Sequence, residues 1–150
     1  MSLDILNRQR KVRFDVRTVR PRLDAALAAA GVQDRETTLL LVSDAAIRRL
    51  NREWRDVDSP TDCLSFPADE GESAGFAGDY LGDIVISLER ARDQGPVHLA
   101  QGLPPGADPL VEEVVFLFVH SLLHLLGHDH HRPADTRRMQ IGRASCREGV

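Results

Sequence analysis

Val114-Val115-Phe116-Leu117-Phe118-Val119-His120-Ser121-Leu122-Leu123-His124-Leu125-Leu126-Gly127-His128-Asp129-His130 is the stretch on which the reading of this 150-residue chain turns. From Val114 to Leu126 it is apolar apart from two histidines and a serine. It is too short for a bilayer, which takes about 20 such residues, and Glu112 and Glu113 stand just before it. The run therefore predicts a helix buried in a protein core. Residues four apart on a helix share one face, about 6 Å apart along the axis, so His120 and His124 can converge on one ion. Gly127 suits a left-handed helix end, after which the chain can bring His130 back as a third ligand. Three neutral imidazoles suit zinc, with a fourth position left for water, the mark of a catalytic site. Imidazole also accepts nickel, copper and iron.

This H-x3-H-x5-H spacing also occurs in metzincin proteases, where a glutamate follows the first histidine as general base. Here Ser121 occupies that position, and a hydroxyl cannot take that role near neutral pH. Peptide hydrolysis by that route loses its proton acceptor.

Outward from the helix, strands interleave with helices. Lys11 to Val16 alternates charged and apolar residues and predicts a half-buried strand. Pro21 opens a helix through Leu23 and Leu27 to a stop at Gly31. Thr37 to Val42 reads as a buried strand. Ser43 or Asp44 caps a helix in which Ile47, Leu50 and Trp54 share a face, so Trp54 is expected in the core. Strands are expected at Asp62 to Phe66 and Asp83 to Ser87, with an exposed loop from Ala68 to Tyr80. A helix from Leu88 to about Gln101 and a Pro/Gly turn from Gly102 to Pro109 complete the chain up to the histidine helix. The expected class is α+β, with one mixed sheet of about four strands packed with helices and the metal site at the end of a buried helix.

The net charge of −4 excludes a wholly basic nucleic-acid binder, but Arg8, Arg10, Lys11, Arg13, Arg17, Arg20 and Arg22 crowd together. Such a run can touch phosphates and is more often a solvated face. No signal peptide is expected at the N-terminus, and Cys63 and Cys146 offer no disulfide framework, which fits a reducing cytoplasm. No membrane association is expected, and the oligomeric state stays open.

Three segments resemble the YbeY-type endoribonucleases. Leu50-Asn51-Arg52-Glu53-Trp54-Arg55-Asp56-Val57-Asp58-Ser59-Pro60-Thr61-Asp62-Cys63-Leu64-Ser65-Phe66-Pro67 is similar to that family's L-N-x-x-[YW]-R-x-x-D-x-P-T-D-V-L-S-F-P. Leu81-Gly82-Asp83-Ile84-Val85-Ile86-Ser87 is similar to its L-G-D-I-x-I-S, and the histidine segment to its H-G-x-L-H-L-x-G-Y-D-H. The resemblance implies that His120, His124 and His130 hold one zinc ion per chain and that Arg55 is the active-site arginine. It implies metal-assisted cleavage of single-stranded RNA in 16S rRNA 3′-end maturation and ribosome quality control. Ribosomal RNA and the ribosome or its small-subunit proteins are the implied partners. Ser121 replaces the family's glycine, which a helix tolerates; His128 replaces its tyrosine and adds a rival ligand.

Arg55 has a fork that can grip phosphate oxygens, against a plainer reading as a helix-end arginine paired with Asp58. Asp129 can orient an imidazole from behind, or cap the turn. No general base stands out. Asp83 is expected to be structural, Thr61 and Asp62 to enter a strand, and His98 and His131 to lie on the surface. The functional domain is expected over residues 1–140. The string Ile141 to Val150 reads as a translated sequencing adapter on a truncated final helix, expected to pack poorly. Two other functions fit the same residues. One is a ribosome-associated assembly factor with a mainly structural metal; the other is a metallohydrolase of peptides or small molecules.

Overall fold

The run Glu36-Thr37-Thr38-Leu39-Leu40-Leu41-Val42 forms the inner strand β2 (Glu36–Val42), and its near-continuous apolar character reflects burial on both faces. The computed structural model describes residues 3–68, 79–98 and 106–129, and the tail 141–150, His130 and His131 lie outside them. On either side of β2 lie β1 (Leu3–Asn7) and β4 (Tyr80–Ser87), with β3 (Cys63–Pro67) beyond β4. The sheet order is β1-β2-β4-β3. The first three strands are parallel, and β3 runs antiparallel to β4, making the sheet mixed as expected.

Helix α1 (Arg20–Ala29) has its proline in the first turn and is followed by Gly31 at φ 75°, as the sequence predicts. Helix α2 (Asp44–Arg55) is capped by Ser43, whose hydroxyl accepts the Ala46 amide at 3.2 Å. Helices α3 (Leu88–His98) and α4 (Pro109–Asp129) follow. One sheet face, carrying Leu39, Leu41, Ile84 and Ile86, packs on α1, α3 and α4. The other, carrying Val42, Leu64, Phe66 and Val85, packs on α2 through Ile47 and Leu50.

By length and composition α4 is able to cross a bilayer. Here Val114, Leu117, Phe118, Leu122 and Leu125 are buried in the core instead, which is the buried helix the sequence predicts.

Three expectations are corrected. The first strand is Leu3–Asn7, not Lys11 to Val16. Val12 is buried and Phe14 and Val16 pack on the core, so the alternation does mark an inward face. The Gln9 side chain, however, donates to the Val12 carbonyl and accepts its amide, both at 2.9 Å, taking the bonds a ladder would need. Gly127 does not end α4, which continues through it to Asp129; a glycine weakens a helix without forbidding it. Finally, Cys63 is disulfide-bonded. The chain's other cysteine, Cys146, lies outside the described residues. One bridge is not the multi-cysteine framework that replaces a core, and this chain has its core.

Candidate functional site

The histidine face of α4 is set by what the rest of the helix buries. With Val114, Leu117, Phe118, Ser121 and Leu125 turned inward, His120 and His124 fall together at the margin of the core, both half-buried. Their ring centroids are 4.4 Å apart, with planes at 59°. His120 also stacks on Phe116 one turn earlier, at 6.2 Å and 14°. His120 Nε2 is buried and has no hydrogen-bond partner. Burial also pushes the His120 imidazole below the usual histidine range, which favours the neutral ring. A neutral ring nitrogen with nothing bonded to it is the form in which histidine ligates a metal. The two rings therefore fit an ion. His130 and the Asp129 side chain lie outside the described residues, and among the described residues no three candidate side chains gather into a complete metal site. Ser121 is fully buried, so the interior has room for its hydroxymethyl group.

Arg55 is the last residue of α2, and the turn after it is built for that stop. Asp56 takes a left-handed conformation at φ 59°, which aspartate tolerates, and the Asn51 carbonyl accepts the amides of Asp56 and Val57. The buried Asn51 side chain holds the Ser59 carbonyl at 3.0 Å. Arg55 Nη1 donates to the Trp54 carbonyl at 3.0 Å and Nη2 to the Ser65 carbonyl at 2.8 Å. Its guanidinium lies 4.6 Å over the Phe66 ring. Ser87 N donates to Asp62 O and Ala68 N to Leu81 O, so the even-numbered residues of β3 bond to β4. Ser65 therefore turns its carbonyl off the sheet edge, where Arg55 reaches it. Asp58, the partner that the plainer reading gave Arg55, is held by Arg48 at 2.8 Å, which lowers the Asp58 pKa. Arg55 thus comes to the outer edge of β3 from the α2 side, while α4 packs on β3 from the other face.

Asp83 accepts the Tyr80 hydroxyl, which also meets Thr38 Oγ1 at 2.9 Å, on the sheet face away from the histidines. Trp54 is not core: it is 41% exposed and touches Phe66 edge-on, with centroids at 6.3 Å.

Sequence reasoning missed a buried polar cluster between β3, α3 and α4. The Gln94 amide nitrogen donates to Asp62 Oδ2 at 3.3 Å and to Glu113 Oε2 at 3.1 Å, and His98 Nδ1 meets the same Glu113 oxygen at 3.1 Å. Asp62 and Glu113 are both buried, and burial pushes the Asp62 carboxyl up to about 6. A carboxylate seven residues before His120, on the helix most apolar in the chain, was the available signal for Glu113.

A family model described as endoribonuclease YbeY matches residues 4–146. This chain belongs to the endoribonuclease YbeY family. The endoribonuclease YbeY of Anaeromyxobacter dehalogenans is 47% identical over 123 residues, 82% of this chain and 58% of that protein. That of Anaeromyxobacter sp. strain Fw109-5 is 42% identical over 139 residues, 93% of this chain and 67% of that protein. That of Syntrophus aciditrophicus is 35% identical over 142 residues, 93% of this chain and 84% of that protein. The chain thus spans less than two thirds of the Anaeromyxobacter dehalogenans YbeY. A Thermotoga maritima protein with a known solution structure shares the fold at a TM-score of 0.51 and 21% identity, over 97% of this chain and 87% of that one.

Proposed function

We propose that the chain is a zinc-dependent endoribonuclease that cuts single-stranded RNA. The cellular setting we propose is 16S rRNA 3′-end maturation and ribosome quality control in the cytoplasm, with the ribosome or its small-subunit proteins as partners. One observation carries the reading within this family: two imidazoles one helical turn apart, with the buried His120 Nε2 unclaimed. His120, His124 and His130 would hold the ion. The chemistry such an ion supplies is Lewis-acid polarisation of a phosphoryl group and acidification of water.

The chain's own residues do the rest. Packing of α4 on the sheet holds His120 and His124 in place, and burial keeps His120 neutral. Arg55 stays charged, and its fork is steadied by two carbonyls and the Phe66 ring. A guanidinium so held can offset the negative charge that builds on a phosphate under attack.

The test is cleavage of an end-labelled single-stranded RNA by zinc-loaded protein, beside a chelator-treated sample and Arg55→Ala. Chelation is expected to abolish cutting, and Arg55→Ala to lower kcat by about 100-fold, a loss typical for one donor to transition-state charge. Cutting that survives both treatments refutes the proposal. The product ends report the nucleophile: a linear phosphate for water, a 2′,3′-cyclic phosphate for the RNA 2′-hydroxyl.

A further inference from the structure

The sheet face opposite the histidines holds a groove of about 410 Å³ for which the chemistry above has no use. Helix α2 rests on this face over β3 and β4 and leaves it open toward β1, where Leu6 is exposed. Leu40, Val42 and Val85 form a largely apolar floor that also carries Asp83, whose carboxylate is engaged by the Tyr80 hydroxyl. Arg49, Glu53 and Trp54 rise from α2 as one wall, and Arg8 stands where the chain leaves β1. The volume falls in the range of small-molecule sites, roughly 300–1,000 Å³.

Three features say what the groove holds. Trp54 is a large aromatic side chain left 41% exposed at its edge. Arg8 and Arg49 are exposed, and neither is held in an ion pair among the described residues, although Glu53 is one helical turn from Arg49. Phe66, which lines the groove, also carries the Arg55 guanidinium, so the groove runs up to the arginine of the proposed active site. An open aromatic ring beside uncommitted cations is how proteins hold single-stranded nucleic acid: bases stack and phosphates meet charge.

We propose that this groove binds a nucleotide of single-stranded RNA, with its base on Trp54 and its phosphates on Arg8 and Arg49. Glu53 stands by as an acceptor for a base amino group. The path toward Arg55 rests on the endoribonuclease reading; the binding itself does not.

Trp54 is the only tryptophan in the chain, so its emission reports directly on the groove. Full-length zinc-loaded protein is titrated with a six-nucleotide 2′-O-methyl oligoadenylate. The expected result is saturable quenching. Arg8→Glu combined with Arg49→Glu should weaken binding at least tenfold and flatten the log–log salt dependence by about 1.4, since each phosphate contact contributes roughly 0.7 for single strands. Trp54→Ala should weaken binding, followed by anisotropy of a labelled strand, by about tenfold. KM for a longer RNA should rise in the double variant. Both arginines are exposed, so the variants are expected to fold, and circular dichroism checks this. Flat emission, or unchanged affinity in the double variant, overturns the groove; if RNA is still cut, the endoribonuclease reading stands. Oligonucleotide binding without any cutting keeps the groove and removes that reading. Quenching by a small-subunit ribosomal protein but not by the oligonucleotide assigns the groove to a protein and overturns the proposal.

Discussion

Asp62 carries a carboxyl that the fold prefers to keep protonated, because burial beside Glu113 outweighs the hydrogen bond from Gln94. Its folded pKa is raised to about 6 from an ordinary 3.8. The stabilising contribution of this group is therefore fully present below about pH 4 and is lost as pH rises through about 6. Asp62→Asn is neutral at every pH and keeps an acceptor. At pH 7.5 it is expected to be more stable than the parent by on the order of 2–3 kcal/mol, with the gap closing near pH 4. Urea denaturation of both proteins at the two pH values measures this, and a gap independent of pH would show that Asp62 ionises freely in the fold. In the sequence Asp62 reads as a strand-entry residue. Its partners Gln94 and Glu113 are far along the chain, and no local pattern joins residues that meet only when α3 packs on α4. Arg55 was legible as a candidate through its motif, but its grip on Ser65 was not. That contact depends on which β3 carbonyls face the free edge.

Among the elements, β4 and α4 approach closely at Gly82. Its φ is 151°, and a Cβ there would lie 2.5 Å from the Phe66 carbonyl oxygen and 2.9 Å from Leu125 Cδ2. Backbone and side chain leave it no room, so Gly82→Ala is expected to cost about 3 kcal/mol, read as a lower urea midpoint. A stability loss under 0.5 kcal/mol would mean that α4 does not press on β4 as described. Seven of the eight α and β elements among the described residues were legible, with ends off by a few residues, because long apolar periodicity and the signals at Ser43, Pro21 and Gly31 survive packing. The exception, β1, is an edge strand with Asp4, Leu6 and Asn7 exposed, so its own alternation is faint. The stronger alternation at Lys11 to Val16 points inward without finding a strand to pair with. Trp54 was misplaced for a related reason: helical periodicity names a face, whereas how far the sheet extends under that face decides exposure.

Taken whole, the molecule is a sheet with different business on its two sides, histidines with α4 on one and the open groove beside α2 on the other. On the proposed reading, an ion bound by the folded chain alone stabilises it by mass action, about 2.7 kcal/mol at a hundredfold excess over its dissociation constant. Calorimetry is expected to show a higher midpoint with zinc than with chelator, and His124→Ala should erase that difference. A zinc-dependent shift that persists in His124→Ala would place the ion elsewhere. The strand order carries a consequence for how this chain comes together. Leu3 pairs with Thr37, and Leu39 with Ile84, so β1 and β2 are both joined to partners remote in sequence. Of the three neighbouring pairs, β3 and β4 lie closest in sequence and are antiparallel. Closing long loops slows assembly, so the β3–β4 pair is the natural nucleus. During synthesis β1 leaves the ribosome before β2 and has nowhere to dock until β2 follows, and its amides should be among the last to gain protection from hydrogen exchange.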